Sequence, residues 1–127
     1  MGGAFQTTRA LRQRACFAGA WRSSSDSASI AVTCPATGEH IGDVPRLTRE
    51  AAALAIEAAA TAFTEWSART AAQRAQILKR WHALILQERE RLAQILTLEQ
   101  GKPLAESPVE IDISAACVEW FAEAHQQ

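Results

Sequence analysis

From Thr48 to Gly101 apolar residues recur at three- and four-residue spacing, and this period commits the middle of the chain to helices that each present an apolar stripe. Thr48 suits an N-cap, and Glu50 sits in the first turn, where a negative charge opposes the positive end of the helix dipole. Ala52, Ala55, Ile56, Ala59, Phe63 and Trp66 form the first stripe, whose small members admit close approach of a partner element. This helix is expected to end near Ser67. Thr70-Ala71-Ala72-Gln73 has the form of a capping box, in which hydroxyl and amide each satisfy a free backbone donor. Behind it Ile77, Leu78, Trp81, Leu84 and Ile85, then Leu92, Ile95 and Leu96, predict a buried face. The run Gln87-Glu88-Arg89-Glu90-Arg91 interrupts that face, so a break or bend is expected there, with the charges on solvated helix surface.

Gly101 closes the helical run, because glycine enters the left-handed C′ conformation without strain. Pro103 is expected to open the next helix, where a missing N–H costs nothing. That helix carries Ile111, Ala115, Val118, Trp120 and Phe121, with a kink or split around Ser107 caused by Pro108. Before Thr48 the pattern is that of strands. Phe17 to Arg22 and Ser29 to Thr33 alternate, separated by the polar run 23–27. Pro35-Ala36-Thr37-Gly38 is a turn signal, and His40 to Leu47 is the returning strand, with Pro45 marking an edge.

At 127 residues the chain is at most one domain. Its net charge of −1 does not point to nucleic acid or an anionic membrane surface. It has no apolar run of about 18 residues or more, so no transmembrane helix is expected. Abundant alanine and absent tyrosine favour helix over a β-sandwich. Arg9, Arg12, Arg14 and Arg22 precede the first acid, Asp26, which admits a mitochondrial transit peptide; the plainer reading of residues 1–10 is a disordered lead-in.

The side chains that could carry chemistry do not assemble in sequence. Cys16, Cys34 and Cys117 are odd in number and lack a Cys-x-x-Cys, which makes a disulfide framework or zinc site unexpected and a reducing cytoplasm the default. Cys16 and Cys117 have no basic neighbour at a helpful spacing and are expected to be buried structural cysteines. Cys34 reads as a turn residue. His40, His82 and His125 are scattered. Gly101-Lys102 fails as a phosphate loop, because Leu96 stands where the earlier glycine belongs and Pro103 replaces the magnesium-binding hydroxyl. Glu88 with Glu90, and Glu110 with Asp112, are two apart and point to different helix faces. No catalytic, cofactor-binding or metal-ligating residue is assigned.

Several stretches together resemble the N-terminal part of the aldehyde dehydrogenase family, most nearly its succinate-semialdehyde members. They are Pro35 to Glu39, Ala62-Phe63 with Trp66, Arg74 with Ile77-Leu78, Lys79-Arg80-Trp81, Leu98 to Glu106 and Glu119 to Glu123. The resemblance runs from about Leu11 to His125, and departs at Cys34, where the family usually has asparagine, at Pro108-Val109, and at the end from Ala124 to Gln127. It implies an α/β parent fold with a Rossmann-type cofactor domain, of which this piece supplies mostly helix and a short N-terminal antiparallel β segment. Residues 11–47 are then the β-rich segment and 48–127 helices covering the cofactor domain, an incomplete N-terminal portion of one NAD(P)-binding domain.

The implied parent oxidises a small aldehyde, succinate semialdehyde by the nearest likeness, to its acid with NAD or NADP, as a homo-oligomer in the cytoplasm or alternatively the mitochondrial matrix. In the family an activated cysteine attacks the aldehyde, hydride passes to the dinucleotide, and a glutamate-activated water releases the acid. Those groups lie downstream in the family, so the piece alone is expected to be inactive, to bind no dinucleotide and to expose apolar faces. Some family members hold a cation between a carbonyl near the first turn and an acid on the third helix; the matching positions are around Thr33 and Glu110. The alternative is a non-catalytic helical interaction module that binds a partner protein.

Overall fold

The computed structural model describes residues 12–124. The lead-in expected over residues 1–10 therefore lies outside the described residues. Strands β1 (Ala15–Phe17), β2 (Ala20–Arg22), β3 (Ser29–Thr33) and β4 (His40–Pro45) precede helices α1 (Arg49–Ala68), α2 (Ala71–Gln87), α3 (Arg89–Gln100) and α4 (Ser107–Glu123). Among the described residues the strands form two separate antiparallel pairs, β1 with β2 and β3 with β4.

The single strand expected from Phe17 to Arg22 is instead a tight hairpin. Ala18 and Gly19 both take positive φ, 50° and 70°, which two-residue hairpin turns require, so the chain reverses and pairs Phe17 with Ala20. Alanine rarely accepts that conformation, so the sequence carries only half of the usual turn signal. Arg12 lies over the Trp21 ring at 4.6 Å and Arg22 over the Phe17 ring at 4.8 Å, giving this small hairpin cation–π contacts. The polar run that follows is ordered. Ser24 is buried, donates to the Asp26 carboxylate and lies 2.8 Å from the Arg46 carbonyl, while the Ala28 amide donates to Asp26 at 3.0 Å. Hydroxyl and amide together hold the Asp26 carboxyl below its ordinary value.

β3 and β4 pair as their alternation implies, with a register irregularity between Val32 and Thr33. The intervening turn closes with Gly38 N–H donating to the Cys34 carbonyl at 2.7 Å and Cys34 N–H donating to that of Glu39 at 2.8 Å. β4 stops at Pro45, short of Leu47. Past it Arg46 N–H still donates to the Ala28 carbonyl at 2.9 Å, so the missing N–H of Pro45 costs no bond to β3.

The first two helices start at their threonine caps. Thr48 accepts from Ala51 N–H at 3.3 Å, and Thr70 and Gln73 form the reciprocal capping box. The expected break falls at Glu88, which is both the last cap of α2 and the first of α3. Arg89 in that charged run is half-buried rather than simply solvated, because it donates to both Asp112 oxygens on α4, at 2.6 and 2.7 Å.

Gly101 ends α3 at φ 71°, its N–H donating to the Thr97 carbonyl at 2.8 Å. Pro103 does not open a helix. Its carbonyl accepts from Glu106 N–H at 2.9 Å and from Ser107 N–H at 3.3 Å, so a turn intervenes and α4 begins at Ser107. Pro108 therefore lies in the first turn, where its missing N–H breaks no ladder bond, and it causes no split.

The packed centre lies among α2, α3 and α4, and its contacts are small. Ala75, Ala93, Ala115, Ala122 and Ser107 are buried, so helix backbones approach closely. Lys79 on α2 pairs with Glu123 on α4 at 3.5 Å. The expected buried faces are only partly buried. Ile77, Leu78, Ile85, Ile111 and Val118 are half-buried, whereas Trp81, Leu84, Trp120 and Phe121 face outward. They lie off the alanine seam, and no described element covers that side.

Candidate functional site

Two places concentrate the sequence's motifs, the corner at Gly101 and the outer apolar surface of the helices. At the corner the β3–β4 turn rests on the end of α3. A Cβ placed at Gly101 would stand 3.1 Å from Ala36 Cβ, Ala36 N and Pro35 Cγ, so glycine serves both the left-handed φ and the close approach. Across the corner Thr97 and Ser107 hydroxyls lie 2.7 Å apart, with Ser107 fully buried. Lys102 pairs with Glu110 and approaches Glu106 at 3.9 Å.

This geometry does not suit a dinucleotide phosphate. The Gly101 amide is engaged by Thr97, the Lys102 ammonium by acids of its own corner, and the described residues supply no other glycine-rich loop. Glu110, the position that the family likeness matched to a cation ligand, is engaged by Lys102. Among the described residues no group of three or more His, Cys, Asp or Glu could hold a metal ion. Glu110 and Asp112 serve different cations, Lys102 and Arg89, and do not converge. Arg89 holds the Asp112 carboxyl below its ordinary value.

The cysteines reverse their expected burial. Cys16 and Cys117 are exposed, because no layer covers the β1–β2 hairpin or the outer face of α4; Cys34 is buried inside its turn. The Thr37 hydroxyl and the amides of Ala36 and Thr37 bring the Cys34 thiol below its usual value, against the opposing charge of Glu39. A buried thiol whose named charged neighbour is an acid is poorly placed as a nucleophile. His40 pairs with Asp43 at 3.2 Å, His82 is half-buried on α2, and His125 lies outside the described residues.

The outer surface is the larger feature. On α4 Val109, Ile113, Ala116, Cys117 and Trp120 share the face opposite the alanine seam, and all are exposed, Trp120 by 62%. Trp120 and Phe121 meet edge to face at 5.5 Å. The stripe foreseen on α1 is open too, with Ile56 70% and Phe63 64% exposed. A helix apolar on both sides belongs in a protein interior. Sequence periodicity located these residues but not which of them the chain itself would cover.

The class that this arrangement defines emerges from comparison. Residues 21–127 match the family model described as "Aldehyde dehydrogenase family", and the chain belongs to that family. It is 44% identical over 113 residues to the 3-sulfolactaldehyde dehydrogenase of Pseudomonas putida, covering 89% of this chain and 23% of the relative. The Escherichia coli succinate-semialdehyde dehydrogenase [NADP(+)] gives the same identity and the same coverage. In three dimensions the chain superposes on succinate-semialdehyde dehydrogenase from Burkholderia pseudomallei with a TM-score of 0.88 and 45% identity, over 95% of this chain and 25% of that one. The chain thus spans about a quarter of the length of the relatives it matches. Its mostly helical architecture with a short antiparallel strand segment is that of a portion of the aldehyde dehydrogenase fold. No helix among the described residues is long and apolar enough to cross a membrane.

Proposed function

We propose that this chain is the N-terminal part of an NAD(P)-dependent aldehyde dehydrogenase that oxidises a small aldehyde, succinate semialdehyde in the first instance, to its carboxylic acid. Within that enzyme it supplies outer strands and covering helices of the cofactor domain, and by itself it is inactive. The supporting observation is α4, whose inner face is closed by alanine against α2 and α3 while its outer face, Val109, Ile113 and Trp120, is equally apolar and uncovered. Covering such a face contributes roughly 1.5–3 kcal/mol per large side chain, a gain available only when another layer is added. The reacting thiol, the base and the dinucleotide loop belong to that further part of the enzyme. Free cysteines without disulfide geometry fit a reducing compartment such as the cytoplasm.

The test is a chimera in which this chain replaces the matching N-terminal segment of the Escherichia coli relative. The expected result is aldehyde-dependent reduction of NADP by the chimera and none by the relative lacking that segment or by this chain alone. A folded but inactive chimera overturns the reading, and so does turnover by the isolated chain.

A further inference from the structure

No further inference is drawn: the strongest candidate, the open apolar groove between α1 and α2 walled by Phe63, Trp66 and Ile77, is an unpartnered face and nothing in the structure shows what covers it.

Discussion

Helix α1 and the α2–α3–α4 cluster are built from the same local signals and end in opposite circumstances. α1 has a threonine cap, an acidic first turn and an apolar stripe, yet none of its residues is buried, and Ile56 and Phe63 in that stripe stand exposed. In the cluster α2 has a threonine cap too and every helix has an apolar stripe, but alanines at the crossings let α2 and α3 meet α4, and Arg89–Asp112, Lys79–Glu123 and Thr97–Ser107 tie the helices together. Local propensity makes a helix in both places. Tertiary burial distinguishes them, and most helical stability in proteins comes from that burial.

Substitution at the crossings should break the contrast most forcefully. Ala115→Leu forces a large side chain into a fully buried seam and is expected to destabilise the cluster by about 1–3 kcal/mol or more. Ala60→Leu on exposed α1 should stay within about 0.5 kcal/mol. Urea unfolding followed by circular dichroism reads both. Equal effects would mean that α1 is as well packed as the cluster.

The corner offers a second contrast. Gly101→Ala imposes the left-handed backbone cost of roughly 1–2 kcal/mol and pushes a methyl against Pro35 and Ala36. Gly38→Ala meets the same φ constraint with nothing within 4 Å, so its loss should be the smaller. If the two midpoints shift alike, the approach of the β3–β4 turn to the corner contributes nothing.

Removing caps should sharpen the regional difference further. Thr48→Ala and Thr70→Ala each remove about 1 kcal/mol of helix stabilisation. Amide exchange should speed up throughout α1 in the first variant. In the second it should change together across α2 and α4, because those helices are packed on each other.

The smallest effect is electrostatic. Arg89 lowers the Asp112 carboxyl from 3.8, so this pair's contribution is complete above that value and disappears as pH falls through the lower folded-state value. Asp112→Asn should flatten the acid side of the stability–pH profile of the cluster and leave the α1 exchange rates unchanged. An unaltered acid slope would remove the pair from the account. Both partners are partly exposed to solvent, so the change should be modest and reduced by salt.

Much of the local architecture was legible in residue chemistry. Thr48, the Thr70–Gln73 box, the break at Glu88 and the glycine stop at Gly101 act through backbone donors within a turn or two, so neighbours suffice to set them. The β1–β2 hairpin was hidden because Ala18 holds a positive φ that alanine does not advertise. Pro103 and Pro108 exchanged roles because either proline could stand in a first turn, and the Pro103 carbonyl's bonds to Glu106 and Ser107 decided between them. Burial was hardest to read. Periodicity marks a stripe as apolar but is silent on which stripe finds a partner, so Trp81 and Leu84 were expected inside and stand outside.

The sequence by itself therefore determined the helical periods, the caps and stops and the β3–β4 turn, since each depends on residues close together in the chain, and it carried the family likeness in several separate stretches. Tertiary structure alone decided that alanines rather than the larger residues form the closed seam and that Cys34 rather than Cys117 is buried. It also brought Arg89 to Asp112 and set the β3–β4 turn on Gly101. Those outcomes depend on which surfaces approach across long sequence separations, and helical spacing carries no record of that choice.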